Sequence, residues 1–394
     1  MSIALLYERS ESDENGIKLT AQQLGINLIY LPFRKIALSI SKDGFSATTK
    51  GKDYTKTFQD VEVVLNRAQS KNRRLQASYL MESLGKKTLN TSKVEFICYS
   101  KLRTLLNFNK QNIPIPKTVF VPCDATDIMK NGKEINNEKD IADLLEKELS
   151  LKDGVVLKAD SGTHGKMIML SKNREELETN IKEIKPTIIN PIGVVGQELI
   201  HKWFYDLRII VSKEKGKLPV CHDTAMVRAG FKDFRTNTFL GNLVFHAKLP
   251  LSVQNLSVKC GNILGEGSDA WIFALDAMVN VKDNTNVDEA HLKSQLDLAA
   301  QGFLPVQKIK QDEKRLTDFQ MWNSKLEEAF ATYKNSVAYQ NITNIIEENL
   351  DDNKNALVFH ESNSCPEFWE NTRLATGFNL AVPLLKGAQS LIGS

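Results

Sequence analysis

The stretch from Val155 to Leu170 contains the residue types that bind phosphate groups. An apolar run ends at Lys158, and a short turn with Gly162 and Gly165 separates it from a second apolar run. This order predicts a strand, a loop and a second strand. Glycine lets the loop backbone approach a polyanion, so that its N–H groups can bind phosphate while Lys158 adds positive charge. An ordinary hairpin with an exposed lysine explains the same pattern, and no Gly-Lys-Ser/Thr opens a helix as in a Walker loop.

Two oxygen-bearing side chains lie two positions apart near the C-terminus. Glu361 and Asn363 follow the apolar run Ala356–His360, and alternation along a strand puts both side chains on one face. A carboxylate and an amide oxygen suit Mg²⁺, which is bound by few protein ligands together with substrate phosphates. The alternative is a pair of solvated polar residues that close a strand.

A third group of polar residues could bind anions. Arg228, Arg235 and Asn237 lie close together in the sequence, and arginine grips carboxylate or phosphate with two parallel hydrogen bonds. These arginines could equally flank a surface turn. Asp206 and Arg208 alternate on a nearby strand and could form a structural ion pair or belong to the same site.

A short segment at the end of a later expected strand could bind a purine. In Glu198-Leu199-Ile200, backbone N–H and C=O groups could read the edge of adenine while the apolar side chains enclose the ring. Most strands of this composition have no such role.

Composition limits the class of protein. The chain has 394 residues and a formal net charge of +3, from 51 basic and 48 acidic residues that are interspersed. No nucleic-acid-binding face is indicated, and the basic cluster of Lys71, Arg73 and Arg74 is typical of a solvated helix. The five cysteines lack metal-ligand spacing, which favours a reduced protein. No apolar run has membrane-spanning length. We therefore expect a cytoplasmic protein without nucleic-acid or membrane partners.

The first third of the chain alternates strands and helices. This pattern predicts a small, mostly parallel sheet with helices on both faces, and ligands bind at the carboxyl ends of such strands. Asn66, Arg67 and Ser70 fall at one of these ends. The expected strands are Ile3–Tyr7, Ile26–Leu31, Val61–Leu65 and Thr88–Asn90, and the expected helices are Asn15–Leu24, capped by Gly25, and Leu75–Leu84.

The remainder predicts helices around an antiparallel sheet. Periodicity predicts helices over Ser92–Asn109, Glu138–Leu149, Glu175–Glu183, Trp271–Val281 and Trp322–Tyr339, with a terminal helical region in 378–392. Apolar runs predict strands over Val119–Pro122, Val194–Ile200, Asp206–Val211, Leu218–Val227 and Ala356–His360.

The order of these groups resembles that of the ATP-grasp carboxylate–amine ligases, in the branch that contains RimK and LysX. The resemblance covers about residues 1–250 and 355–385. It is carried, in chain order, by Leu65-Asn66-Arg67 with Ser70, Lys101-Leu102-Arg103 with Ile113-Pro114-Ile115-Pro116, Val156–Gly165, Gln197-Glu198-Leu199-Ile200, Asp206-Leu207-Arg208, Phe234-Arg235-Thr236-Asn237 with Gly241, Glu361-Ser362-Asn363-Ser364 with Pro366, and Ala375–Ala381.

The resemblance implies an α/β (α+β) ATP-grasp fold in which two α+β subdomains enclose ATP. The domains would be 1–90, a small parallel α/β domain; 91–195, a central domain with the phosphate hairpin; and 196–394, a C-terminal domain with an extra segment at about 250–340.

The resemblance also implies roles for individual residues. Lys101 and Lys158 would contact ATP phosphates, and the lid would be formed by Ser161, Gly162 and Gly165. The remaining roles would be these: Glu198, Leu199, Ile200 and Asp206 at the nucleotide; Arg228, Arg235 and Asn237 at the acyl phosphate and carboxylates, as the catalytic group; Asn66, Arg67, Ser70 and Arg208 at the substrate; and Glu361 and Asn363 at Mg²⁺ or Mn²⁺.

One metal ligand of the family is not matched by an obvious residue. Family members carry an aspartate on the strand before the metal glutamate, and here Asn344 is the aligned position, with Glu347 or Asp276 as alternatives. Pro366-Glu367 also stands where the family has Pro-Gly.

The implied activity is amide-bond formation between a carboxylate, activated as an acyl phosphate, and the amine of an amino acid, plausibly glutamate-like, with release of ADP and phosphate. The carboxylate would belong to a small molecule, a peptide or a carrier protein, and we expect a homo-oligomer. The alternative is a catalytically impaired ATP-binding regulatory or assembly protein.

Overall fold

The computed structural model describes residues 2–123, 128–130, 133–135, 138–162, 167–185, 193–231, 235, 242–281 and 289–393. Within these residues no helix is both long enough and apolar enough to cross a membrane.

The N-terminal part is built on a parallel sheet, as predicted. Its strands follow the order β2-β1-β6-β7, and an antiparallel sheet β3-β4-β5, which the sequence did not indicate, lies beside it. Gly25 follows the first helix with φ of 66°, which confirms its role as the helix cap. The elements are β1 (Ile3–Tyr7), α1 (Ser12–Gln23), β2 (Leu28–Pro32), β3 (Ala37–Ser41), β4 (Gly44–Thr49), β5 (Lys52–Asp53), α2 (Thr55–Asp60), β6 (Val63–Arg67), α3 (Lys71–Ser83) and β7 (Lys87–Leu89).

The central part is an antiparallel sheet with strand order β12-β11-β13-β8. The helices α6 and α7 close its core through buried residues such as Ile141, Leu145 and Ile181. The elements are α4 (Ser92–Tyr99), α5 (Lys101–Asn109), β8 (Thr118–Val121), β9 (Ile128–Lys130), β10 (Lys133–Ile135), α6 (Glu138–Glu148), β11 (Val155–Lys158), β12 (Ile168–Ser171), α7 (Arg174–Ile184) and β13 (Val194–Glu198).

The helix expected over Ser92–Asn109 is two helices. Ser100 interrupts it with extended backbone angles, φ of −111° and ψ of 128°, and its hydroxyl accepts a hydrogen bond from Arg103 N. Serine favours such an N-cap over a helix interior because its side chain satisfies an otherwise unpaired N–H.

The C-terminal part is a second antiparallel sheet with strand order β17-β16-β14-β18-β19, as expected for this region, and β15 pairs with β14. The elements are β14 (Tyr205–Lys213), β15 (Val220–Cys221), β16 (Thr224–Ala229), β17 (Leu243–Lys248), α8 (Leu251–Leu264), β18 (Trp271–Val279), α9 (Glu289–Lys310), α10 (Lys314–Thr317), α11 (Phe319–Lys334), α12 (Val337–Asp352), β19 (Leu357–Asn363), α13 (Thr372–Thr376) and α14 (Ala381–Ser390).

The helix expected over Trp271–Val281 is wrong, because this segment is strand β18 in the middle of the sheet. Residues on both of its faces are buried, so its sequence is apolar almost throughout. Such a run carries neither the two-residue nor the 3.6-residue period, and the sequence alone could not distinguish strand from helix. The helix expected over Trp322–Tyr339 is divided at Asn335-Ser336, where Ser336 caps α12.

The C-terminal segment connects the N-terminal parallel sheet to the C-terminal antiparallel sheet. α14 packs against α1, β6 and β7. Trp369 is 3% exposed and lies against Gly16 of α1, where a Cβ would come within 2.0 Å of the Trp369 ring. Asp13 of α1 also accepts hydrogen bonds from the backbone N–H groups of Phe368 and Trp369. The N-terminal sheet and the strand-β19 region therefore share a rigid contact.

We expect Gly16→Ala to lower the free energy of unfolding by about 1–3 kcal/mol, because a buried indole and a backbone held by hydrogen bonds leave no room for the methyl group. Chemical denaturation measures this. Gly302→Ala, also inside a helix but 3.6 Å from Tyr333, is the matched control and should leave stability unchanged or raise it by up to about 1 kcal/mol. Equal effects at both positions would contradict the packing argument.

Candidate functional site

A cavity of about 510 Å³ lies between the sheet that contains β11 and the sheet that contains β19, and the N-terminal part closes one end. Lys158 lines it from β11 and Glu361 lines it from β19. Residues that are distant in sequence therefore face one shared space.

One end of the cavity is an apolar slot. Pro116, Val156, Ile168, Leu199, Ile200 and Met278 line it. The segment after β13 is held in place by Glu198, whose Oε1 accepts a hydrogen bond from Lys117 N at 2.8 Å and whose N–H donates to Lys117 O at 3.0 Å. The apolar lining of this slot suits a flat heterocycle, and the expected segment Glu198-Leu199-Ile200 forms part of it.

Lysines from three different elements gather beside the slot. Lys101 Nζ lies 3.3 Å from Glu361 Oε1, and Lys71 Nζ lies 3.9 Å from the same oxygen. Lys158 is 6% exposed. Burial lowers its pKa to about 8, and Glu361 opposes this shift. Burial and the neighbouring Lys101 also lower the pKa of Lys71 to about 8. Several like charges held this close indicate a site for a polyanion.

Lys71 was missed by sequence reasoning, which assigned its cluster to a solvated helix. It is the first residue of α3, directly after the turn that follows the parallel strand β6. That position at the carboxyl end of a parallel strand was the available signal.

The loop after β11 is bound to the start of α5. Asp160 Oδ1 accepts hydrogen bonds from Ser100 Oγ and Leu102 N, each at 2.8 Å, and Asp160 O accepts one from Lys101 N. Lys101 Nζ in turn donates to Gly162 O at 2.8 Å. A carboxylate at a helix N-terminus satisfies unpaired N–H groups and the helix dipole, so the break at Ser100 serves to anchor this loop.

Two arginines expected to hold substrate are bound to aspartates. Arg228 pairs with both oxygens of Asp206 at 2.7 and 2.9 Å, and Arg208 pairs with both oxygens of Asp276 at 2.9 Å. Arg228 also lies 3.3 Å from Asp276. Cross-strand pairing on one sheet face produces this network. Arg208 and Arg228 line the cavity while orienting these carboxylates, and Arg235 lines it as well.

Asp276 occupies the position expected for the missing aspartate. It is the cross-strand partner of Glu361, so both carboxylates lie on the cavity face. Asn344 is exposed on α12 and does not line the cavity, and Glu347 accepts a hydrogen bond from Lys248 N instead. The expected assignment of Asn344 is therefore corrected to Asp276. The sequence offers Asp276 only as an alternative, because a helix over Trp271–Val281 does not place it beside Glu361.

The oxygen donors at β18 and β19 fit Mg²⁺. Asp276, Glu361 and Asn363 supply two carboxylates and one amide, all hard ligands. Among the described residues no group of three His, Cys, Asp or Glu side chains is arranged around a metal. A cation here would therefore need further oxygens from a bound phosphate. Burial alone raises the pKa of Glu361, but Lys101 and Lys71 outweigh it and lower the pKa to about 2, so this ligand is ionised.

The other end of the cavity is rich in carboxylates. Glu11, Asp13, Glu14, Glu367 and Glu370 line it, together with Arg67, Gln69, Lys310 and Asn371. Arg67 is bound to Asp13 at 2.9 Å, lies 3.5 Å from Glu14 and donates to Pro366 O. Lys310, at the end of α9, donates to Asn371 Oδ1 at 2.7 Å. The extra helical segment thus reaches the cavity wall.

Some predicted site residues have other positions. Asn66 donates to Arg74 O and Ser78 Oγ, and Ser70 caps α3, so both shape the turn after β6 rather than line the cavity. Ser161 does not line the cavity either, whereas Gly162 does. Gly165 and Asn237 lie outside the described residues.

His360 was also missed. Asp276 pairs with Glu361 and Ala277 pairs with Phe359, so His360 is the extra residue of a β-bulge. The bulge turns both His360 and Glu361 toward the cavity, although neighbours in a regular strand face opposite sides. Burial and the nearby Lys158 lower the pKa of His360 to about 3, so its imidazole is neutral.

Comparison with known proteins finds related sequences. A model of the RimK-like ATP-grasp domain matches residues 124–301. The chain is 24% identical over 266 residues to the alpha-aminoadipate–LysW ligase LysX of Sulfurisphaera tokodaii, covering 67% of this chain and 82% of that protein. It is 26% identical over 215 residues to the coenzyme gamma-F420-2:alpha-L-glutamate ligase of Methanocaldococcus jannaschii, covering 53% and 63%.

The fold has a counterpart among solved structures. The macrocyclase MdnC of Microcystis aeruginosa, solved bound with precursor peptide MdnA, aligns over 100% of both chains with a TM-score of 0.53 and 12% identity. That likeness concerns the fold.

We expect Lys158→Met to stabilise the ligand-free protein at pH 7, by on the order of 1–3 kcal/mol, because it removes a poorly solvated charge. The folded-state pKa of Lys158 is about 8 against 10.5 for the unfolded chain. Between about pH 8 and pH 10.5 the unfolded chain binds more protons at Lys158 than the folded protein does. The wild type therefore gains stability as pH rises, and its free energy of unfolding approaches that of Lys158→Met.

Urea denaturation of both proteins at pH 7, 9 and 10 measures this change. Lys152→Met, at an exposed position, is the control and should show no comparable pH-dependent difference. A Lys158→Met protein that is less stable than the wild type at every pH would show that the lysine charge is well compensated.

Proposed function

We propose, for a chain that belongs to the RimK/LysX branch of the ATP-grasp ligases, that it uses ATP to join a carboxylate to the amine of an amino acid. The observation that carries this proposal is the arrangement of one cavity. An apolar slot, a cluster of lysines with two carboxylates, and a second, acidic end follow one another in it. Base, polyphosphate and amine would meet these three surfaces in that order.

The lysine cluster supports a triphosphate ligand. Lys71, Lys101 and Lys158 are buried or half-buried around Glu361, and their mutual repulsion and desolvation are relieved when phosphate oxygens enter. Lys101 also holds Gly162 of the phosphate loop, so one cation would bridge the loop and the nucleotide. Mg²⁺, or Mn²⁺, would be held by Asp276, Glu361 and Asn363 and would neutralise phosphate charge.

The reaction has two steps. A carboxylate oxygen of the first substrate attacks the γ-phosphorus of ATP, the bond to the β–γ bridging oxygen breaks, and an acyl phosphate and ADP form. The amine then attacks the acyl carbon, phosphate leaves with the electron pair of the C–O bond, and the amine loses a proton. Lys158 and Arg235 would offset negative charge at the phosphoryl group, so positioning and electrostatics supply most of the catalysis.

The network of Arg208, Arg228, Asp206 and Asp276 supports preorganisation of this site. Its side chains are fixed by bidentate hydrogen bonds before any ligand enters, so little reorganisation accompanies the reaction. Arg228 and Arg208 would act mainly by orienting Asp206 and Asp276.

The acidic end supports an amine as the second substrate. Glu11, Glu367 and Glu370 place negative charge at the cavity wall, while Arg67 and Lys310 offer cations to a carboxylate of the same molecule. A zwitterionic or dicarboxylic amino acid, plausibly glutamate-like, matches this mixture. The names of the relatives, which mention alpha-aminoadipate with LysW and glutamate with a coenzyme, agree with an acceptor on a carrier protein, a peptide or a small molecule.

The alternative function is that of a catalytically impaired ATP-binding protein. It is motivated by the asparagine, Asn344, that aligns with the family's metal-binding aspartate. The position of Asp276 opposite Glu361 removes that motivation.

The decisive experiment is a mass-spectrometric screen of amino acids against carboxylate substrates of the three kinds, with ADP release as the readout and Mg²⁺ present. We expect ADP formation that depends on a matching pair and yields an amide product. Tight ATP binding without ADP from any pair would favour the impaired protein, and absence of nucleotide binding would refute the proposal.

Lys158→Met is expected to lower the rate of ADP formation at least about 100-fold, because a positive charge beside the transferring phosphoryl group is lost. The variant should remain folded, and Lys152→Met should retain the wild-type rate. Retained activity in Lys158→Met would refute the proposed role of Lys158.

Glu367→Gln is expected to raise KM for the amine substrate about two- to fivefold, because it neutralises one exposed carboxylate at the acidic end. The KM for ATP should stay the same, since the slot and the lysines are unchanged. Glu266→Gln is the control, because Glu266 is exposed and does not line the cavity. An equal change in both KM values would show that the acidic end does not select the amine.

A further inference from the structure

His360 is a cavity residue with an unused polar atom. It is 8% exposed, and its Nε2 is buried without a hydrogen-bond partner among the described residues. A buried polar atom left unpaired costs free energy, so such an atom in a binding cavity indicates a ligand that completes its hydrogen bonding.

The bulge in β19 is the structural reason for this position. In a regular strand only one of His360 and Glu361 could face the cavity, and the extra residue opposite Asp276 and Ala277 lets both do so. The backbone thus brings an imidazole next to the carboxylates without displacing Glu361.

The position of His360 along the sheet indicates which part of a bound nucleotide it would contact. On the paired strand β18, Met278 lines the apolar slot, and Asp276, two residues or about 7 Å away, belongs to the charged group. His360 lies opposite the interval between them. In a nucleotide, the sugar connects the base to the phosphates over this interval.

We propose that His360 positions the nucleotide by a hydrogen bond between its Nε2 and a ribose hydroxyl. This inference rests on the proposed ATP-dependent function and adds a residue to its nucleotide site. A hydroxyl both donates and accepts, so it pairs with Nε2 in either neutral tautomer of the imidazole. Coordination of a metal is the competing use, but His360 belongs to no three-residue metal group of the described chain.

The test compares ATP with its 2′-deoxy and 3′-deoxy analogues by isothermal titration calorimetry on the full chain. We expect the wild type to bind one analogue about fivefold more weakly than ATP, which corresponds to one net hydrogen bond. His360→Leu should lose about the same factor for ATP and should no longer distinguish that analogue from ATP. His360→Gln, whose amide can also pair with a hydroxyl, should retain part of the discrimination.

His222→Leu is the matched control. The Nε2 of His222 is also buried without a partner among the described residues, but His222 stacks on Phe378 and does not line the cavity. Its substitution should leave all three affinities unchanged.

Each outcome has a distinct meaning. A wild type that binds ATP while His360→Leu matches its affinity, or a His360→Leu protein that still discriminates, overturns the role of His360 alone. A wild type that binds both deoxy analogues as tightly as ATP also overturns it. A wild type that binds no ATP at all overturns the proposed function. If His360→Leu does not fold, His360→Gln decides: a weaker ATP affinity with only part of the wild-type discrimination supports the proposal, and discrimination equal to that of the wild type overturns it.

Discussion

The structure depends on the confinement of several lysines around one carboxylate. Lys101 lies 3.3 Å from Glu361 and donates to Gly162 O at 2.8 Å, so a single side chain links α5, the loop after β11 and strand β19. Burial lowers the pKa of both Lys71 and Lys158. Uncompensated charge in a low-dielectric cavity is tolerated only where the surrounding fold holds the group in place, and a polyanionic ligand would provide the missing compensation.

The aspartate–arginine network is a fixed part of the cavity wall beside these lysines. Removing one partner of a buried pair leaves an uncompensated charge, so Asp206 with Arg228 and Asp276 with Arg208 are mutually dependent. Neighbouring bidentate pairs restrict the rotamers of four side chains at once. This network is thereby set before a ligand binds, whereas Lys71 is held by one longer ion pair, 3.9 Å from Glu361.

The helices between β18 and β19 contribute to the cavity wall through Lys310. Lys310 at the end of α9 contacts Asn371 and lies 3.8 Å from Glu370, and the segment after β19 carries Trp369 onto α1. The acidic end is therefore assembled from the N-terminal part, helix α9 and the segment after β19 together. Under the proposed function, selectivity for the second substrate would follow from all three parts.

The sequence by itself determined the elements with a clear period or punctuation: the parallel N-terminal strands, Gly25 as a helix cap, and the strand pair β11–β12 with Lys158. It could not determine β18, because a strand buried on both faces carries no period. Only the tertiary structure placed Asp276 opposite Glu361 and brought Lys71 and His360 into the cavity, since cross-strand register, a bulge and helix packing join residues far apart in the chain. Pairings of that kind are set by burial and geometry, and local residue order does not encode them.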